Sequence, residues 1–311
     1  MSAEEFVRLA YYPGCEAKTI NKAADEATRK ICKRFGVGLI ELENAGCCGS
    51  VDLRIQDFEA TLALNGRILA LTEETGVYSF AGGRPYLFTI CNTCAYNLQT
   101  AAFRYNPKYV EGSQEELDKL NKTLAKYGRI YRGTANVMTL PWVMIRTVGY
   151  PAFRDALVKP LNGLKIAPFY GCHMLRPDKY YGFENPMKPT SLDILIKEFM
   201  DGDTVEYKSK SLCCAFHKLM TEEKTSYLSI GHILKDAVDH DADMVVTPCT
   251  QCQVALDLYQ REAVKEIGEE FEIPIVYLSQ LIGIATGIPK EELGFKEHVV
   301  SPIKLLEKKR F

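Results

Sequence analysis

The chain has 311 residues, of which 47 % are hydrophobic and 25 % charged, with a formal net charge of −2. This is an ordinary globular composition, long enough for two domains, and its charge gives no electrostatic case for nucleic acid or an anionic membrane as the main partner. The opening MSAEEFVRLA lacks the basic start and apolar run of a signal peptide, and no stretch approaches the ~20 apolar residues of a membrane span. A soluble, cytoplasmic protein without a membrane span is expected. Eleven cysteines in a reducing compartment then point to metal ligands or catalytic thiols rather than a disulfide framework.

In chain order, the apolar run RLAYYPG leads to Cys15. The stretch NKAADEATRKICKRFG places Ala23, Ala24, Ala27, Ile31 and Phe35 on one face and ends in Gly36, predicting a helix with a glycine stop. Cys32 lies within it and reads as a small core residue. Next comes NAGCCGS, with Cys47 and Cys48 adjacent between Gly46 and Gly49. Neighbouring Cα atoms are only about 3.8 Å apart, below the roughly 4.4–6.8 Å of an ordinary disulfide, so both sulfurs are expected to face a common object. RPYLFTI is a short apolar run, a buried strand, and it ends at Cys91-Asn-Thr-Cys94. An insertion, SQEELDKLNKTLAKYG, predicts a helix over 113–128 with a Ser113–Glu116 capping box and a Gly128 stop, covering a sheet edge.

The grammar then starts again. Without Cys32, ten cysteines form two sets of a single Cys, a Cys-Cys pair and a Cys-x-x-Cys: Cys15, Cys47, Cys48, Cys91 and Cys94, then Cys172, Cys213, Cys214, Cys249 and Cys252. The flanks agree, RLAYYPGCEAK with KIAPFYGCHML, LFTICNTCAYNL with VVTPCTQCQVAL, and ANVMTLPWVMIRTVG with IPIVYLSQLIGIATG. A five-part order repeated in this way marks an internal duplication. We expect two domains, 1–150 and 161–290, and a basic C-terminal tail, 291–311, as a partner contact or a frayed end. Short apolar runs alternating with longer amphipathic ones predict an α/β class, with a small parallel-sheet, Rossmann-like unit in each repeat. Ligands of such sheets collect at the carboxyl ends of the strands, where helix N-termini favour thiolates. Five thiols exceed the four of tetrahedral zinc or of the usual iron–sulfur cubane, so either one thiol is spare or the object bound is larger and less symmetrical. Iron–sulfur ligation is expected, with zinc in one copy and metal-free dithiol chemistry as the alternatives.

The doubled pattern Cys, Cys-Cys-Gly, Cys-x-x-Cys resembles the CCG-domain family typified by the B subunit of heterodisulfide reductase, over about residues 7–290. The resemblance implies two noncubane [4Fe-4S] clusters, one on Cys15, Cys47, Cys48, Cys91 and Cys94 and the other on Cys172, Cys213, Cys214, Cys249 and Cys252. It implies an oxidoreductase subunit that cleaves or forms a disulfide at those clusters, with a small cubane-cluster subunit and a flavoprotein subunit as partners and a disulfide or thiol as substrate. The second set is the implied catalytic one. The B subunit of a sulfur-oxidising heterodisulfide-reductase-like complex and a non-catalytic electron relay with one cluster replaced by zinc are the competing readings; succinate dehydrogenases also use a related subunit.

One departure stands out. The first repeat has CCGS, the second CCAFH, so that Ala215 occupies the glycine position with Phe216 and His217 directly after it. A Cβ there either restricts φ or fills space beside the ligand, and a sealed second site would favour the relay. His173 and His217 adjoin cysteines and are candidates either for proton donation or for hydrogen bonds that tune a metal centre. Arg176 and Lys179 are candidates for meeting an anionic substrate group.

Overall fold

The computed structural model describes residues 7–79, 84–111, 113–176 and 182–311; Lys179 lies outside them. The first repeat is built on strands β1 (Val7–Tyr12), β2 (Val37–Glu41), β4 (Arg84–Thr89) and β5 (Asn136–Met138), all parallel in the order β2-β1-β4-β5. A two-residue strand, β3 (Tyr78–Ser79), runs antiparallel beside the start of β4. The second repeat uses β6 (Lys165–Pro168), β7 (Asp203–Thr204), β8 (Met244–Thr247) and β9 (Ile275–Tyr277), all parallel in the equivalent order β7-β6-β8-β9. The fold is α/β with two such sheets.

Even the register is duplicated. Ala10 pairs with Leu87 and Ala167 with Val245. Ala10 and Ala167 each stand five residues before their lone cysteine, and Leu87 and Val245 four before their Cys-x-x-Cys. Equal register delivers equivalent strand ends, and so the cysteines after them, to equivalent places.

Both sheet faces are covered, which is why the strands read as short continuous apolar runs. Side chains alternate along β1. Ala10 and Tyr12 enter a core with Leu62, Leu69 and Leu98, which continues through Ile230 and Leu234 of the second repeat. Leu9 and Tyr11 enter another with Ile31, Ile166, Tyr277 and Leu281. Each core draws on both repeats, so the repeats share one buried interior.

The predicted first helix spans Lys22–Arg34, with Ala23, Ala24, Ala27 and Ile31 buried and Gly36 in the left-handed region at φ 67°. Cys32 is fully buried there, and burial pushes its thiol up to about 12. The insertion forms a helix, Ser113–Leu124, then a 3-10 turn closed by Gly128 at φ 68°. Its capping box does not form: the Ser113 hydroxyl is buried without a hydrogen-bond partner among the described residues, and Glu116 pairs with Arg104. The helix lies on the helix Phe58–Glu74. Gly66 permits the approach, since a Cβ there would sit 2.6 Å from Leu120 Cδ2. The tail is neither free nor frayed. It forms a helix, Ile303–Lys308, with Leu306 fully buried, and Lys309 bonds Asp243 and the Gly163 carbonyl.

Candidate metal centre

Each repeat delivers its thiols by the same local chemistry. Cys91 and Cys249 follow the central strands and cap the helices Asn92–Arg104 and Thr250–Leu258, with almost identical backbone angles, φ −122°, ψ 121° and φ −125°, ψ 124°. One turn into those helices Cys94 and Cys252 lie on the same side. The lone cysteines follow Gly14 and Gly171, at φ 83° and 70°. A Cβ on either glycine would stand 3.1 Å from the sulfur of Cys94 or Cys252. These two glycines hold backbone against sulfur, a role signalled in the sequence only by their shared place before the lone cysteine.

The five sulfurs of the first repeat are strung in a chain. Cys15 and Cys47 lie 3.8 Å apart and Cys48 and Cys94 3.4 Å apart; Cys47 contacts Cys48, and Cys94 contacts Cys91. The second repeat repeats the chain from Cys172 through Cys213, Cys214 and Cys252 to Cys249. All eleven cysteines are free. Among the described residues no three His, Cys, Asp or Glu side chains close on one point as a single metal ion requires.

Hydrogen bonding divides the protons along each chain. Cys47 and Cys213 accept from the neighbouring thiols, and also from the backbone N–H of Gly49 and Ala215, 3.4 Å away in both repeats. These bonds hold both thiols down to about 2, while their donors Cys15 and Cys172 are raised. The two chains meet at their ends, where Cys91 and Cys249 lie within electrostatic reach of each other. Their matched helix N-termini do not give matched thiols. Cys249 accepts and is depressed, whereas donation to Cys249 is the main reason that Cys91 rises to about 11, because adjacent sulfurs do not both ionise.

Residues invisible to motif reading fix this meeting. The buried Tyr277 hydroxyl lies between the carbonyls of Ile90 and Pro248, immediately before Cys91 and Cys249, and 2.8 Å from the latter carbonyl. Asn92 Nδ2 donates to the Tyr170 carbonyl. Thr93 and Gln251, equivalent positions inside the two Cys-x-x-Cys motifs, hydrogen-bond to each other. Asn97 Nδ2 donates to the carbonyls of Cys48 and Ser50, and Asn65 Nδ2 to that of Cys48, holding the adjacent-cysteine turn.

The mouths differ. Cys15 and Cys47 are exposed; in the second repeat Cys213 is exposed but Cys172 is only half-buried. Ala215 adopts the left-handed conformation at φ 59°, and so takes the glycine's backbone at a strain cost of about 1–2 kcal/mol. Phe216 and His217 are partly buried and do not seal Cys213 from solvent. His217 and His173 pack together with ring centroids 5.7 Å apart, and burial lowers both, His173 to about 4. Arg176 Nη1 reaches toward the Ser211 carbonyl at 3.5 Å. At the position equivalent to His173 the first repeat has Glu16, whose carboxyl is lifted to about 8, chiefly by burial, with the Cys91 sulfur adding to it.

The donor set fits an iron–sulfur group. Each repeat offers five sulfurs and glycine backbone cut away beside them, and Gly46, at φ 78°, has open space where a Cβ would be. A polynuclear centre suits sulfurs strung out in a chain better than a single ion does.

Comparisons with known proteins agree with this architecture. The cysteine-rich CCG domain model matches residues 9–99 and again 166–257. Over 297 residues the chain is 35 % identical to the 8-methylmenaquinol:fumarate reductase membrane anchor subunit of Wolinella succinogenes, covering 96 % of this chain and 98 % of that one. It is 28 % identical to a protein of Archaeoglobus profundus that is like the B subunit of heterodisulfide reductase, over 93 % of each chain. It is 26 % identical to the B subunit of the ferredoxin/F420H2-dependent CoB-CoM heterodisulfide reductase of Methanosarcina acetivorans, over 97 % of this chain and 96 % of that one. A crystal structure of a hypothetical protein from Helicobacter pylori shares the fold at a TM-score of 0.74 and 16 % identity, covering 94 % of this chain, which spans 51 % of the length of that one. Among the described residues no helix is long and apolar enough to cross a membrane. With both cysteine sets inside the matched segments, the chain belongs to the cysteine-rich CCG-domain family and resembles the B subunit of heterodisulfide reductase over most of its length.

Proposed function

We propose that the two thiol chains hold two noncubane [4Fe-4S] clusters, and that the protein is the cluster-bearing subunit of a heterodisulfide-reductase-like complex acting on a thiol/disulfide couple. The observation that carries this reading is the joining of the two Cys-x-x-Cys motifs, by the Tyr277 hydroxyl between the carbonyls of Ile90 and Pro248 and by the hydrogen bond from Thr93 to Gln251. It brings two five-sulfur sets into one continuous site, which suits a reaction that must treat two sulfur atoms together. Iron–sulfur groups held there would supply one-electron redox chemistry at sulfur.

The chain's own residues account for the rest. Reductive cleavage of a disulfide takes two electrons and releases two thiols, so both halves need room at an exposed rim. Cys15 and Cys47 in the first repeat and Cys213 in the second are exposed and would supply such a rim. Tyr277 and Asn92 hold the two halves of the site in fixed relation. The backbone N–H groups of Gly49 and Ala215 are aimed at Cys47 and Cys213 and favour their thiolate forms for metal binding. His173 and His217 lie beside the second set, where both hydrogen-bond with Thr93 of the first. A small cubane-cluster subunit and a flavoprotein subunit would supply electrons, and a reducing, cytoplasmic setting would keep the thiols unpaired.

A second reading has support of its own. The 35 % identity with the fumarate reductase anchor protein favours an electron-relay role in a quinol:fumarate-reductase-type complex. Iron, acid-labile sulfide and zinc analysis of anaerobically purified protein tests what both share, with about eight irons and eight sulfides expected per chain. Zinc alone would overturn both. Assay of the complex purified from its own host then separates them: turnover of a disulfide supports the first, whereas quinol-dependent fumarate reduction with no disulfide turnover supports the second.

A further inference from the structure

Two threonines stand at the same place in the two repeats, and both carry a hydroxyl with nothing to bond. Thr89 ends β4 two residues before Cys91, and Thr247 ends β8 two residues before Cys249. Both are fully buried, and neither Oγ1 has a hydrogen-bond partner among the described residues, cysteine sulfurs included. A buried hydroxyl left in this state loses its hydration and gains nothing in return. Valine has nearly the same shape and suits a strand as well, and the neighbours in these strands are apolar: Leu87 and Phe88 in one, Val245 and Val246 in the other. Other buried hydroxyls lack a partner too, as at Ser113 and Tyr131, but each of those belongs to the first repeat alone.

The strands decide which way the pair faces. Side chains alternate along a strand, so Thr89 shares the face of Leu87, and Thr247 that of Val245. Cys91 and Cys249 keep extended backbone, φ −122°, ψ 121° and φ −125°, ψ 124°, and continue the alternation onto the same face. Leu87, Val245 and these two cysteines line one core, together with Cys94 and Cys252. Phe88 and Val246 line the other. Both hydroxyls are therefore on the thiol side of their sheets. Both are also held in register, Thr89 opposite Tyr12 and Thr247 opposite Tyr277.

We propose that Thr89 and Thr247 each donate a hydrogen bond to a sulfur of the iron–sulfur centre bound by their own repeat, and so set its reduction potential. This deepens the iron–sulfur reading and rests on it, but on neither the disulfide nor the relay version of it. The N–H groups of Gly49 and Ala215 serve the exposed sulfurs of Cys47 and Cys213. The threonines would serve the buried end of each thiol chain, where the protein itself offers the hydroxyl no acceptor. A donor facing sulfur stabilises the more negative, reduced state of such a centre. Removing it should lower the potential.

The test is a redox titration followed by EPR, on anaerobically purified protein of measured iron and sulfide content. Thr89→Val and Thr247→Val remove the hydroxyl and keep the shape; Thr89→Ser and Thr247→Ser keep the hydroxyl. In each valine variant the one-electron equilibrium of one centre should move about tenfold toward the oxidised form, a fall of about 59 mV in midpoint, while the other centre stays in place. The serine variants should titrate like the parent. In reduced protein assembled in heavy water, a hyperfine coupling to an exchangeable deuteron should be present with threonine or serine and lost with valine. Thr89→Ala and Thr247→Ala remove the same hydroxyls with less bulk and replace the valine variants if those do not fold. Unmoved midpoints in hydroxyl-free variants that keep their full iron overturn the inference. Serine variants shifted as far as the valine ones also overturn it, since packing alone would then explain the shift. A parent protein without iron and sulfide overturns the iron–sulfur reading and this inference with it, and the metal analysis tells that result apart from unmoved midpoints.

Discussion

The two repeats are the same device where backbone meets sulfur and different devices where side chains meet solvent. Sheet order, register, the capping geometry of Cys91 and Cys249, the glycine before each lone cysteine and the N–H aimed at Cys47 or Cys213 are duplicated almost atom for atom. At the mouths, Glu16 corresponds to His173, Gly49 to Ala215, and the Ser50–Val51 pair to Phe216–His217. The difference teaches which features the proposed clusters would demand and which the chemistry at each mouth has been free to change. A centre held by five sulfurs would tolerate little drift in backbone, whereas the groups around its opening can differ between copies.

The largest way to test that equivalence is to remove one set. Cys48→Ser or Cys214→Ser should each lower iron content by about half, from about eight to about four per chain, with the loss confined to the altered repeat. Iron and sulfide analysis with EPR of the reduced protein checks this. If either substitution emptied both sites, the repeats would be one cooperative centre instead of two equal ones.

Next come the glycines that touch sulfur. Gly14→Ala and Gly171→Ala both place a methyl 3.1 Å from a cysteine sulfur at a positive φ, a backbone cost of about 1–3 kcal/mol before any movement of the thiol. Equivalent losses of cluster occupancy and of stability in the two variants are expected, read by iron content and thermal unfolding. A clear inequality would show that one mouth relaxes more easily than the other. Tyr277→Phe is smaller and symmetric. It removes the one hydroxyl proton that the two buried carbonyls share, for about 1–3 kcal/mol of destabilisation, and a variant as stable as the parent would mean that Tyr277 does not hold the halves together.

Much of this was legible in the sequence, for physical reasons. The short apolar runs RPYLFTI and ADMVVTP become β4 and β8 because strands buried on both faces need no polar alternation. The helix over Lys22–Arg34 follows from its apolar spacing, and the doubled cysteine grammar signals two equivalent thiol sets. What motif reading could not reach depends on groups far apart in the chain. Tyr277 acts 187 residues from Ile90, and Thr93 meets Gln251 158 residues away; neither carries a local signature. The Ser113 capping box failed because Glu116 found the Arg104 guanidinium, a tertiary ion pair that local pattern does not reveal. The basic tail reads as a partner contact or a frayed end, but Leu306 is buried and Lys309 bonds the Gly163 carbonyl and Asp243 of the second repeat.

The smallest effect is also the most pointed, because its sign should differ between repeats. Ala215 already occupies the left-handed region at φ 59°, ψ 11°, where a Cβ costs about 1–2 kcal/mol and glycine costs nothing sterically. Ala215→Gly relieves that strain but loosens the unfolded chain, which returns about 0.4–1 kcal/mol. A net gain of up to about 1 kcal/mol is expected, with the Ala215 N–H to Cys213 retained. Gly49→Ala meets harsher terms. Its φ is 90°, and the new methyl would lie 3.1 Å from Leu53 Cδ2 and 3.3 Å from Leu53 Cβ, so strain and crowding add to each other. Thermal unfolding of the two variants under anaerobic conditions should move in opposite directions, Ala215→Gly upward by about 1–2 °C and Gly49→Ala downward by more. If both moved downward, Ala215 would be serving the second site through its methyl group, and the alanine would be a part of that mouth instead of a tolerated departure from glycine.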